Sequence, residues 1–257
     1  MNKKTFLAAL LLIFGFWICL NAQNNRFNYE YESVKIDSTF DKDADLTIET
    51  YISHLKKDKD KVMERPVGVS AALLRSFSPA SPLSNLLVDI LFEWGNEYML
   101  SKKMPKPDLA LLNFGGIRAT LPQGKITVGD IYEILPYDNT VAFVSLKGSE
   151  LAKMFAGFSE KSNAPLANVQ TIYQNGRLLS FTVGGASLDE NKTYVIVTVN
   201  FLAQGGDGFL NEVKIESVVD INMQVRDVVL EEIRKKTAQG IEIKELTDDR
   251  VIIKSTP

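Results

Sequence analysis

Residues 111–139 read LLNFGGIRATLPQGKITVGDIYEILPYDN, and the rest of the chain is organised around this stretch. It continues an apolar run, Leu109–Ala110–Leu111–Leu112, of the kind found in buried strands. The run stops at Asn113, and Gly115–Gly116 follows. Two adjacent glycines permit positive φ and let the backbone approach a ligand closely. Arg118 comes two residues later, where a strand-end turn presents it to solvent and a guanidinium suits bidentate recognition of a phosphate or carboxylate. A tight turn with Arg118 in a surface ion pair would give the same pattern. Further on, Thr127 is placed to cap a short helix, Asp130–Ile134; Pro136 ends that helix, and Tyr137 joins Asp138–Asn139 in a turn.

A second motif follows the apolar strand Tyr194–Val199. Residues 200–209 read NFLAQGGDGF. Gly205, Gly206 and Gly208 around Asp207 specify a backbone path that ordinary residues resist. Such a loop fixes an acceptor-only carboxylate in one orientation. A plain glycine turn with a solvated Asp207 is the other reading.

Elsewhere helices and strands alternate. Ile48, Ile52 and Leu55 recur at helical spacing, which predicts a helix over Asp41–Leu55. The charge run Lys56–Lys61 reads as a solvated helix end or loop. Pro66–Leu74 reads as a strand, and Arg75 follows inside the Ser/Pro-rich loop Ser76–Pro82. Ser84–Asn85 is placed to cap a helix through Leu86, Ile90, Leu91 and Trp94. An Arg at a strand end just before a helix N-terminus is where an anion is welcome, or it meets only solvent. Thr140–Leu146 reads as a strand. Ser149–Phe158 reads as a helix with Leu151, Met154, Phe155 and Phe158 on its core face. After a loop over Ser159–Val169, Asn175–Gly176 marks a hairpin turn within Thr171–Val183. Gly184–Gly185 is a further turn. A helix over Asp220–Lys235 and a strand near Arg250–Ile253 close the chain.

The chain has 257 residues, 45% hydrophobic and 24% charged, as in an ordinary globular protein. Its net charge of −3 gives no sign of a nucleic-acid-binding surface. One Cys and one His exclude a disulfide framework, a Cys-based zinc site and a His-rich metal cluster. The single histidine, His54, is assigned no function. Lys3 and Lys4 followed by apolar Phe6–Leu20 form a secretory signal, too short for a transmembrane span, with cleavage after residue 22. Lipidation of Cys19 fits less well, because Trp17 and Ile18 are bulky. The mature chain is expected to be exported, periplasmic or extracellular. Residues 23–40 form an extended lead-in, and 41–257 form the domain.

Several motifs in order carry a resemblance. Asn113-Phe-Gly-Gly-Ile-Arg118, Thr127-Val-Gly-Asp130, Leu135-Pro-Tyr137 and Phe201-Leu-Ala-Gln-Gly-Gly-Asp-Gly-Phe209 resemble the signatures of the C-terminal, substrate-binding domain of the 5'-nucleotidase family. The likeness spans roughly Asp41 to Ile253. It implies an α+β fold, a layered helix–sheet–sheet–helix domain with mixed strands. It also implies that Tyr137 and Phe201 sandwich a nucleobase and that Asp207 accepts hydrogen bonds from ribose hydroxyls. Asn113 would meet the base edge or support the loop. Arg118 would meet the phosphate, with Arg75 as a second phosphate contact. Two regions depart from the family pattern: the spacing from Arg75 to Ser84–Asn85, and the segment Asn168–Tyr173.

Family members carry an N-terminal metallophosphatase domain whose two metals do the hydrolysis. One histidine cannot build that site, and hydrolysis needs metals to activate water and neutralise phosphoryl charge. The resemblance therefore implies a chain without catalytic residues or metal of its own, inactive alone. It would bind a nucleotide or nucleoside and act with a separate metallophosphatase that holds divalent metals. A non-catalytic, exported nucleotide-binding protein is the alternative, and a structural domain with a decayed pocket is a third.

Overall fold

Tyr194–Val199 sits at the middle of a sheet because its side chains are apolar on both faces, so neither face tolerates water. The computed structural model describes residues 30–254, apart from residues 36, 38–44 and 247. The expected signal, Cys19, most of the lead-in and the expected helix start at Asp41 lie outside the described residues.

The chain divides into two units, residues 1–53 and 54–257. In the first, the Asp45 carboxylate accepts hydrogen bonds from the Thr47 and Ile48 amides at 2.8 and 3.3 Å, starting a helix. Those amide hydrogen bonds hold the Asp45 carboxyl below the usual carboxylate range. This helix, α1 (Leu46–Met63), has no buried residue. It continues through Lys56–Lys61, which the charge run had suggested as a helix end or loop.

In the second unit the strands are β1 (Pro66–Ser70), β2 (Leu109–Leu111), β3 (Gly124–Thr127), β4 (Thr140–Lys147), β5 (Leu166–Ala167), β6 (Val169–Gln174), β7 (Arg177–Val183), β8 (Thr193–Val199), β9 (Ile215–Gln224) and β10 (Val251–Lys254). The helices are α2 (Pro82–Ser101), α3 (Val128–Ile134), α4 (Gly148–Ala156), the single turn α5 (Asn200–Ala203) and α6 (Val225–Ala238). The fold is α+β with mixed sheets. The main sheet runs β5-β2-β8-β4-β9, with β2 and β8 parallel and the other neighbours antiparallel. A three-stranded sheet, β10-β6-β7, and the pair β1-β3 complete it.

Helix α2 lies on the main sheet. A Cβ at Gly95 would meet Val197 at 3.2 Å, and Trp94, Tyr98 and Phe143 stack in series at 5.0 and 5.8 Å. On α4, Phe155 stacks on Phe181 of β7 at 4.1 Å and packs against Phe158. Arg250, just before β10, grips the Asp89 carboxylate of α2 at 2.9 and 2.7 Å and that of Asp248 at 2.7 Å. Burial pushes the Asp89 carboxyl up, whereas the hydrogen bond from Arg250 holds that of Asp248 down.

The loop expected over Ser159–Val169 is shorter, because Leu166–Ala167 forms β5 against β2 and Val169 starts β6. Three more boundaries differ from expectation. Helix α2 starts at Pro82 with Ser81 as its cap, and Ser84 serves as the third residue of a capping box. The strand expected over Pro66–Leu74 ends at Ser70, and Leu74 makes only a bridge to Leu121. Residues 220–224, expected as helix, belong to β9; the helix begins at Val225. Strand β9 forms the sheet edge and is mostly exposed, so no apolar alternation marks it in the sequence.

Candidate functional site

Four strand ends meet at one end of the main sheet. β2 and β8 are parallel, so their C-termini lie side by side. β4 is antiparallel to β8 with Val141 opposite Val199, which brings its N-terminus to the same end. Thr140 is opposite Gln224, so β9 finishes there too. Each end opens into a candidate segment: Asn113–Gly116 after β2, Tyr137–Asn139 before β4, Phe201–Asp207 after β8 and Arg226 after β9.

A pocket of about 310 Å³ lies between them, lined by Asn113, Gly115, Gly116, Tyr137, Asn139, Phe201 and Asp207. Tyr137 is 51% exposed and Phe201 44%, and both line the same pocket. A smaller chamber of about 20 Å³ shares Asn113, Gly116, Tyr137 and Asn139 with it and is also lined by Arg226. A larger depression of about 610 Å³, between α2 and residues 240–246, touches none of the motif residues.

The Asn113 side chain is 7% exposed, and its Nδ2 donates to Asp207 Oδ2 at 2.7 Å. One carboxylate oxygen of Asp207 is thereby fixed. The backbone supports this geometry: φ is +97° at Gly205, +54° at Asp207 and +78° at Gly208. Glycine and aspartate tolerate this left-handed region better than most residues. Gly206 acts differently. A Cβ there would lie 2.4 Å from the Phe201 ring, so the ring rests directly on the Gly206 backbone. Gly116 likewise leaves room for Asn113, whose Oδ1 would be 2.7 Å from an added Cβ. Neither Gly115 nor Gly116 has the positive φ that the sequence allowed. Close approach is the reason for Gly116, while a Cβ at Gly115 would meet nothing closer than 3.6 Å.

Tyr137 is carried by the turn after α3. That helix starts in a reciprocal cap: Asp130 N–H donates to Thr127 Oγ1 at 3.2 Å, and Thr127 N–H donates to Asp130 Oδ2 at 2.7 Å. The two arginines stand apart from the pocket lining. Arg118 is exposed on the turn beside the pocket, with Nη1 3.5 Å from the Gly115 carbonyl. Arg75 is exposed before α2 and lines neither chamber.

Three residues at the site were not singled out from sequence. Asn139 lines both chambers and follows Tyr137 by two positions, so its place in the motif was the available signal. Asn200 Oδ1 accepts from Phe201 N–H at 2.8 Å and Thr140 N–H at 3.1 Å, tying the two pocket segments together. Arg226, described below, lies far along the chain and had no local signal.

The sequence model of the 5'-nucleotidase C-terminal domain matches residues 66–213, more than half of the chain. The chain belongs to this family. Protein UshA of Yersinia enterocolitica is 36% identical over 107 residues, covering 40% of this chain and 20% of that protein. NAD 5'-nucleotidase of Haemophilus influenzae is 26% identical over 196 residues, covering 65% of this chain and 32% of that protein. The crystal structure of the 5'-nucleotidase precursor from Thermus thermophilus superposes with a TM-score of 0.66 at 26% identity, over 83% of this chain and 44% of that one. The chain thus spans less than half the length of these relatives.

Among the described residues, no group of three or more His, Cys, Asp or Glu is placed to hold a metal ion. No helix among them is long and apolar enough to cross a membrane.

Proposed function

We propose that this 5'-nucleotidase C-terminal domain binds a nucleotide or nucleoside and presents it to a separate metallophosphatase partner in an exported compartment. One observation carries the reading. Two half-exposed aromatic rings line a pocket that also holds a carboxylate already oriented by a buried amide. Exposed rings offer π faces to a base of any identity, a contribution of about 1–3 kcal/mol per base. The second oxygen of Asp207 suits a ribose hydroxyl, and Arg118 beside the pocket suits the phosphate, where its charge also serves the phosphoryl transition state. Arg75, outside the lining, is assigned a weaker phosphate role.

In this reading the metals, and hence the hydrolysis, belong to the partner. The signal over residues 1–22 supplies export. Calorimetric titration of the purified chain with AMP and adenosine tests it, repeated on Phe201→Ala and Asp207→Ala. Binding to the wild-type chain, weakened in both variants, is expected; no binding of either ligand overturns the reading. A co-exported metallophosphatase whose rate on AMP rises with this chain added would complete it. Tight binding with no such rate effect favours the non-catalytic binding protein.

A further inference from the structure

The chemistry of Arg226 extends the site beyond its lining residues. Arg226 is the second residue of α6 and is 8% exposed. Its Nη1 lies 3.5, 3.4 and 3.3 Å from the carbonyl oxygens of Leu135, Pro136 and Tyr137. Its Nη2 donates to the Asp138 carboxylate. The guanidinium also sits 4.6 Å from the Tyr132 ring of α3, and its Nε is buried without a hydrogen-bond partner. Every residue of the turn 135–138 therefore has an oxygen directed to one side chain.

The physical reason lies in α3. Carbonyls at and beyond a helix C-terminus are left without internal partners and carry partial negative charge, which a cation satisfies. No basic residue occupies the last turn of α3. Arg226 supplies that cation from another helix, some 90 residues away in sequence. Next to it, the Val225 N–H donates to the Asn139 carbonyl at 3.0 Å, fastening the far end of the same turn. The individual Nη1 distances are long, so the hold comes from one charge among several dipoles rather than from any single bond.

We infer that Arg226 is a positioning residue that fixes the Tyr137 wall of the pocket before ligand arrives. It touches no ligand; it acts through the turn. This rests on the binding function proposed above, but the anchoring itself can be read without ligand. A lysine cannot replace the fork, because its point charge reaches fewer of these oxygens at once.

The test uses the full chain in two measurements. First, the chain is labelled with 3-fluorotyrosine, and the Tyr137 signal among the eight tyrosines is assigned by its loss in Tyr137→Phe. The Tyr137 fluorine resonance is expected to be single and sharp in the wild type and broadened or split in Arg226→Lys, with the resonance of Tyr173, buried in β6 and assigned in the same way, unchanged. A sharp, unshifted resonance in Arg226→Lys overturns the proposal, whether or not nucleosides bind. Second, adenosine affinity is measured in a cycle of Arg226→Lys and Tyr137→Ala. Arg226→Lys is expected to weaken binding about tenfold in the wild-type background and less than about twofold in Tyr137→Ala. Equal losses in both backgrounds overturn action through Tyr137. If the wild type binds neither adenosine nor AMP while the resonance behaves as expected, the binding function falls and the anchoring stands.

Discussion

Tyr137 and Phe201 line one pocket with similar exposure, yet the chain holds them by different means. Phe201 is held locally. Its ring lies on Gly206 five residues later, and its amide donates to the side chain of the residue before it. Tyr137 is held remotely, by a buried arginine that follows the C-terminal end of β9. The first wall is written into one short motif. The second exists only once the sheet has brought β4 and β9 together. The two walls therefore respond to different substitutions.

The largest effect is expected for Gly206→Ala. Its Cβ would lie 2.4 Å from the Phe201 ring, and the ring, half exposed, has room to swing out. Nucleoside binding should weaken by about 1–3 kcal/mol, as for Phe201→Ala, with little change in melting temperature. Calorimetry beside a thermal melt checks this; wild-type affinity would mean that the glycine does not place the ring.

Asn200→Ala strikes a side chain bonded to both wall segments. It leaves the Thr140 and Phe201 amides without their acceptor, at a cost of about 1–2 kcal/mol in urea unfolding. Nucleoside affinity should still fall when the substitution is made in Phe201→Ala, because the Tyr137 side is disturbed too. No added loss there would confine Asn200 to the Phe201 wall.

Thr127→Ala removes the cap of α3 and reaches only the Tyr137 side. It should cost about 1 kcal/mol of stability, read by denaturant unfolding. Its effect on affinity should vanish in Tyr137→Ala and persist in Phe201→Ala.

Asp248→Asn, far from both walls, is the smallest and serves as the control. The Arg250 hydrogen bond holds the Asp248 carboxyl below its ordinary value, so folding favours the ionised form. That stabilisation is present above the usual carboxylate range and is lost as pH falls through the lowered folded value. The variant should be less stable at pH 7 by about 0.5 kcal/mol, allowing for solvent screening, and should match the wild type once the pH has fallen below the lowered folded value. Asp89, pushed up by burial, has the opposite sign: its contribution grows on acidification. Nucleoside affinity should not change in Asp248→Asn; if it did, the pocket would be coupled to the β10 end.

The same division explains what could be read from sequence. Local rules were enough for the Thr127–Asp130 cap and for the β6–β7 turn, where Asn175 and Gly176 both take positive φ. They were enough for the glycine path around Asp207. They failed at residues 220–224. There the strand is an exposed edge whose pairing with β4 shifts register twice, so its side chains show no simple pattern. They also failed at the start of α2, where Ser84 resembled a cap but Ser81 before Pro82 is one. Arg226 was invisible for a related reason. Its partners are some 90 positions upstream, and no spacing rule links an arginine to carbonyls that only tertiary structure assembles.

The parallel pairing of β2 with β8 has a consequence in time. Thr198 Oγ1 bonds to the Leu111 carbonyl across 87 residues of sequence, and such long closures come late in folding. During synthesis the Asn113 loop emerges well before its partner Asp207, and the Tyr137 turn before its anchor Arg226. A ribosome-bound chain from which residues up to 209, but not β9, have emerged would thus display both aromatic segments without a finished cleft between them. The cleft is completed only when α6 emerges, so a chain truncated at residue 224 should keep every lining residue and still hold the Tyr137 wall loosely.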